Sequence, residues 1–89
     1  MQRFETEEEA IAIANDHHYG LAAYVQTNDL KRAHRVAARF EAGNIWVNGF
    51  PGVPWSVPFG GTKQSGYGRL GGLAGIQEFS RPKNVWMSL

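Results

Sequence analysis

Within the twelve residues Pro58 to Arg69, two aromatic rings, four glycines, two cations and a serine hydroxyl stand at close intervals. Each suggests a chemistry that can be weighed. Ser65 is preceded by Lys63-Gln64 and lacks the G-x-S-x-G elbow that exposes a hydrolase nucleophile, so serine hydrolysis is unsupported. Gly66-x-Gly68-x-x-Gly71 has the form of a dinucleotide fingerprint. It follows no strand, however, and the acidic residue expected about 20 positions later would fall beyond Leu89, so we read these glycines as turn formers. His17, His18 and His34 could in principle hold a metal, but adjacent histidines diverge in most backbones and no H-E-x-x-H or cysteine accompanies them; we expect surface histidines and no metal site. The chain has no cysteine at all, which removes thiol nucleophiles, thiolate metal sites and disulfides together.

What remains is apolar. Phe59, with Val53 and Trp55 upstream, offers wall material for a small organic molecule, because ligand pockets are mainly apolar with aromatic lining. The alternative is that Phe59 anchors a glycine-rich turn and Trp55 is a surface or interface aromatic. Lys31, Arg32, Arg35 and Arg39 would form a basic helix face. No aromatics alternate with them as a nucleic-acid platform requires, and Glu5, Glu7, Glu8 and Glu9 are expected to balance them.

The elements that must position this loop are readable from caps and periodicity. Thr6-Glu7-Glu8-Glu9 has the form of a capping box, predicting reciprocal bonds between Thr6 and Glu9 and a helix with Ala10, Ile13 and Ala14 on one face. Asn15-Asp16 and Gly20 are expected to end it. Leu21 to Thr27 reads as a strand, Asn28-Asp29 as a cap, and Ala33, Val36, Ala37 and Phe40 as the apolar stripe of a second helix stopped by Gly43. Ile45-Trp46-Val47 reads as another strand, completing a βαβ unit with parallel strands. Residues 49–69 hold three of the four prolines and most of the glycines and are expected to form an irregular loop, which at this length is usually functional. A short helix over Leu73 to Phe79 and a strand over Asn84 to Met87, separated by Pro82, close the pattern.

Eighty-nine residues allow one small domain with a modest core. Apolar residues at 43% and charged residues at 19% describe a globular chain, the strand-helix-strand pattern gives it an α/β class, and a net charge of +1 makes no case for nucleic acid. No apolar run approaches the ~20 residues of a membrane span, and the acidic start is unlike a signal peptide, so a soluble, cytoplasmic protein is expected. Two parallel strands cannot make a stable sheet alone, which implies missing neighbours or a marginal assembly.

Pro58-Phe59-Gly60-Gly61-Thr62-Lys63-Gln64-Ser65-Gly66-Tyr67-Gly68-Arg69 resembles the C-terminal P-F-G-G-x-K-x-S-G-x-G-R signature of the aldehyde dehydrogenase family. Glu8-Glu9-Ala10-Ile11, Tyr19-Gly20-Leu21, Gly43-Asn44-Ile45-Trp46-Val47-Asn48, Glu78-Phe79 and Lys83-Asn84-Val85 extend the resemblance over essentially the whole chain. It implies residues 1–82 as the C-terminal part of a catalytic domain and residues 83–89 as a strand donated across a subunit interface in a homo-oligomer, with Val85, Trp86 and Met87 as anchors. The complete enzyme would oxidise a small aldehyde to an acid with NAD or NADP, through a cysteine thiolate and a glutamate-activated water that this chain does not carry. On this resemblance the isolated chain would bind no cofactor and be inactive. Phe59 would lie beside the substrate, whereas Asn48, Gly60, Gly61, Lys63, Ser65, Gly66, Gly68 and Arg69 would hold the loop. Relatives commonly have Glu after the signature arginine, where this chain has Leu70. The alternative is a non-catalytic chain acting only through association with itself or a full-length dehydrogenase.

Overall fold

The computed structural model describes residues 1–89 and is an α/β arrangement of three helices and four short strands. Helix α1 (Glu7–Asn15) begins where the Thr6 hydroxyl accepts from the Glu9 amide at 3.1 Å. The return bond of the expected capping box differs. The Glu9 carboxylate accepts from the Glu5 amide, one residue before the cap, at 2.9 Å. Ile11, rather than the Ala10–Ile13–Ala14 face, is the buried residue of α1. The helix stops at Asn15, four residues before the two-residue strand β1 (Tyr19–Gly20).

Strand β2 (Ala22–Val25) leads through Asp29, whose carboxylate caps the Arg32 amide at 3.1 Å, into helix α2 (Leu30–Arg39). Its Ala33 and Val36 are buried, and the chain returns as β3 (Asn44–Val47). Strands β2 and β3 pair in parallel, Ala22 with Asn44 through Val25 with Val47, giving the expected βαβ unit. The register places Tyr24 opposite Trp46, and their rings stack at 5.3 Å with Phe50 set edge-on 4.9 Å from Trp46. By the twofold alternation of a strand, Ala23 and Val25 share the other face of β2.

Two glycines do other work than expected. Gly20 does not end α1 and Gly43 does not stop α2, which ends at Arg39 with Phe40 already extended. Gly20 lies in β1, where an added Cβ would come 2.5 Å from the Glu41 carbonyl oxygen, and a Cβ on Gly43 would overlap the Gly60 carbonyl. Both are places where one backbone presses on another.

The long loop is less irregular than its composition suggests. Thr62–Lys63 forms β4, antiparallel to β1, and Phe59 bridges Leu70. Helix α3 (Gly72–Glu78) follows, with Gly71 as its cap. The strand expected over residues 84–87 is not formed: residues 80–89 have no regular structure and are exposed, because no edge within the chain pairs with them. No helix is long and apolar enough to cross a membrane.

Candidate functional site

The loop from Asn48 to Gly72 is held by a ladder of backbone contacts that fixes where its apolar side chains stand. Phe59 and Leu70 exchange both main-chain bonds, at 2.6 and 2.8 Å, and the Gly72 amide donates to the Trp55 carbonyl at 2.9 Å. The Val57 amide closes a turn on Pro54 at 3.0 Å. The second rung requires glycine. Gly71 and Gly72 have φ of +74° and +60°, and their Cβ atoms would come within 2.7 Å of the Val57 carbonyl and 2.9 Å of the Ser56 carbonyl.

Between these rungs lies a concavity of about 330 Å³ lined by Val53, Pro54, Trp55, Val57, Phe59 and Leu70. The three residues singled out from the sequence as pocket wall, Phe59, Val53 and Trp55, therefore meet at one cavity. It is a shallow depression open to solvent, smaller than two other concavities of the chain, of about 520 and 650 Å³. Phe59 is half-buried, while Trp55 is 88% exposed. None of the lining side chains titrates, so the cavity offers shape and apolar surface and no acid, base or nucleophile.

The polar members of the signature face the scaffold. Lys63, with φ +52°, sends its ammonium to the Asn15 carbonyl at 2.9 Å and the His17 carbonyl at 3.3 Å, and pairs with the Glu41 carboxylate at 2.5 Å. A cation at the open carbonyls of the α1 C-terminus is favourably placed. Ser65 Oγ accepts from the Gly20 amide at 3.0 Å. Arg69 Nη1 donates to the carbonyls of Gly61 and Gly68 at 2.8 and 2.9 Å, with no carboxylate partner for its guanidinium. Gly60 and Gly61 leave room for Arg69 and Ser65, Gly66 has φ +108°, and Gly68 runs past the Glu78 carboxylate. Asn48, with φ +60°, accepts from the Thr27 amide and donates to the Thr27 carbonyl, both at 2.8 Å, tying the ends of β2 and β3 together.

Two residues that sequence reasoning passed over complete the brace. Asn44 Nδ2 donates to the carbonyls of Leu21 and Gly60 at 2.9 Å, and Thr62 Oγ1 donates to those of Gly20 and Glu41 at 3.2 and 3.1 Å. Their partners lie 16 to 42 residues away, a separation that no local pattern reports.

The basic face of α2 is occupied by α1. Arg35 forms a fork on Glu7 at 2.6 and 2.8 Å, Arg32 lies 3.4 Å from Glu7, and Arg39 forks onto Glu8. The Arg35 and Arg39 hydrogen bonds hold the Glu7 and Glu8 carboxyls below the ordinary carboxylate value and push the two guanidinium values up. His17, His18 and His34 are exposed, and no group of three potential ligands gathers anywhere in the chain. Val85, Trp86 and Met87 stand away from the cavity with 64%, 94% and 81% of their surface exposed.

A model of the aldehyde dehydrogenase family matches residues 1–85. The chain is 48% identical to the NADP/NAD-dependent aldehyde dehydrogenase PuuC of Escherichia coli over 87 residues, covering 98% of this chain and 18% of that protein. It is 51% identical to a betaine aldehyde dehydrogenase of Cereibacter sphaeroides, over 97% of this chain and 18% of that one. The NAD+ complex of an aldehyde dehydrogenase from Bacillus cereus superposes with a TM-score of 0.87 at 41% identity, over 97% of this chain and 18% of the other. The chain thus spans under a fifth of the length of the relatives it matches.

Proposed function

Because this chain belongs to the aldehyde dehydrogenase family, we propose that it is the C-terminal part of the catalytic domain of an enzyme that oxidises an aldehyde to a carboxylic acid with NAD or NADP. Residues 1–82 supply the βαβ unit and the substrate-side loop, and residues 83–89 supply an assembly strand. The observation that carries this reading is the convergence of Val53, Trp55 and Phe59 on one apolar cavity whose backbone is clamped at Phe59–Leu70 and Trp55–Gly72. A wall held in advance of binding lowers the ordering cost when substrate arrives.

The chain's own share of the chemistry is to bind and orient. With no cysteine, it cannot form the thiolate nucleophile that the family uses. Nor do its glycines make a pyrophosphate cradle: the first amide of α3 is already given to the Trp55 carbonyl, and the helix has only seven residues. The nucleophile, the general base and the dinucleotide site therefore belong to polypeptide outside these 89 residues, and the isolated chain is inactive.

The test is a chimera in which these residues replace the matching segment of the Escherichia coli relative. Aldehyde-dependent NAD(P)H formation is expected from the purified chimera. A chimera that melts cooperatively, retains its native oligomer and oxidises no aldehyde would sink the reading.

A further inference from the structure

We propose that Asn48-Gly49 is a self-modification site, at which the Asn48 carboxamide closes onto the Gly49 nitrogen and loses ammonia, and that the bonds between Asn48 and Thr27 latch it shut. The inference rests on bonds internal to this chain and is independent of the function proposed above. Of the five asparagines, only Asn48 precedes glycine; the others precede Asp16, Asp29, Ile45 and Val85. Glycine has no Cβ to crowd its nitrogen, whereas the branched side chains after Asn44 and Asn84 crowd theirs. The reaction consumes water alone. The Gly49 nitrogen gives its proton to hydroxide and bonds to Asn48 Cγ; the Cγ–Nδ2 bond breaks, and Nδ2 leaves as ammonia with a proton taken from water. The cyclic imide then adds water. Opening at Cγ leaves an aspartate at position 48, and opening at the main-chain carbonyl leaves an isoaspartyl link whose backbone runs through the side-chain carbons.

The fold blocks the first step twice. The imide ring needs Cβ of Asn48 and the Gly49 nitrogen on the same side of the Cα–C bond. At φ +60° Asn48 lies in the left-handed region, whose ψ of about +30 to +60° sets them on opposite sides. The carboxamide is held as well: Oδ1 accepts from the Thr27 amide and Nδ2 donates to the Thr27 carbonyl, both at 2.8 Å. These bonds lie just beyond Val25 opposite Val47, the last pair of β2 and β3, where the Asn48 amide also donates to the Val25 carbonyl at 2.8 Å. That end of the sheet must open locally before the ring can close. Once modified, the latch cannot re-form as it was. A carboxylate only accepts, so an oxygen would face the Thr27 carbonyl where Nδ2 donated. The isoaspartyl link adds a carbon to the main chain where β3 delivers the loop from Asn48 to Gly72. The site thus records openings of this strand pair as an irreversible change.

The experiment holds the full-length polypeptide that carries this sequence in mildly alkaline buffer, native or in urea. The tryptic peptide from Phe40 to Lys63 is followed by mass spectrometry, with fragmentation that separates Asn44 from Asn48. Asn48 is expected to convert at least about tenfold more slowly in the native chain than in the denatured one, as when reaction runs through an opening that costs ~1.4 kcal/mol. Gly49→Ala should slow conversion in the denatured chain, which assigns the attack to the Gly49 nitrogen. Urea below the global transition should raise Asn48 conversion and deuterium uptake over the segment containing Thr27 together, testing the latch without any variant. Equal conversion in native and denatured chains, or conversion that rises while Thr27 stays protected, overturns the latch. Survival of Asn48 in the denatured chain, or conversion there that Gly49→Ala leaves unchanged, overturns the site itself.

Discussion

A methyl group at Gly43 has nowhere to go, because the Gly60 carbonyl occupies its place and Gly61 Cα lies 3.2 Å away. Both obstacles are backbone, so relief would require moving the loop that carries Phe59. Gly43→Ala is therefore expected to cost about 1–3 kcal/mol of stability, the range for forcing extra atoms into a packed region. Hydrogen exchange over residues 58–69 should rise with it. Gly49→Ala makes the control, since nothing lies within 4 Å of its Cβ and the change should stay within about 0.5 kcal/mol. Denaturant melts of the two variants in the full-length polypeptide check this, and equal stabilities would refute the packing role of Gly43. The same position shows what a sequence hides. A glycine three residues after an apolar stripe reads as a helix stop, and only the fold reveals a carbonyl seventeen residues later pressing on it. Phe59, Val53 and Trp55 were legible as one apolar group because they crowd a short loop. Asn44 and Thr62 were not, because an amide or hydroxyl bracing distant carbonyls leaves no local signature.

Helices α1 and α2 are joined on the solvent side by the Glu7–Arg35, Glu7–Arg32 and Glu8–Arg39 pairs, while Ile11, Ala33 and Val36 form the small core beneath. Both helices were readable, since caps and 3.6-residue periodicity are local signals of some length. Strands β1 and β4 were not, because two residues carry no periodicity and their pairing joins positions 44 residues apart, Tyr19 with Lys63. The carboxylate side of the ion-pair lock gives it a pH dependence of definite sign. The folded values of Glu7 and Glu8 lie below the ordinary carboxylate value, so their contribution is complete above that value. It is lost as pH falls through the depressed folded values. A Glu7→Gln, Glu8→Gln variant should melt lower than the parent near neutral pH and converge with it in that acid window. The gap should also narrow at high salt, because these pairs are exposed and screened. Melting temperatures recorded against pH decide the matter, and a gap independent of pH would show that the pairs add nothing through charge.

The whole chain exposes 7720 Å², whereas a compact monomer of its mass exposes about 5,200 Å². Its radius of gyration is 17.8 Å against about 12 Å for a compact domain of this length. The excess of about 2,500 Å² is larger than the ~800 Å² that each partner gives to a stable interface, so this is a surface built to be covered. Part of it surrounds the unpaired sheet edges and the apolar side of α3, where Leu73, Ile76 and Phe79 are 69 to 90% exposed. Another part is the final segment, which reads as a strand in the sequence and lies unpaired in the chain. Strand formation there needs an edge to add to, and neither two-stranded sheet of the chain pairs with it, which is why local propensity and fold disagree at residues 84–87. Val85 and Met87 would share one face of such a strand and Trp86 the other, each with most of its surface open. We propose that this segment adds to the sheet edge of a neighbouring subunit, where main-chain bonds supply affinity and these three side chains supply register. Removing residues 84–89 from the full-length polypeptide should then convert its oligomer into smaller species by sedimentation velocity. Val85→Asp with Met87→Asp should weaken the same contact without shortening the chain, since a charge on the covered face would be buried unpaired. An unchanged sedimentation coefficient in both variants would place the assembly surface elsewhere, and the exposed face of α3 would become the next segment to test.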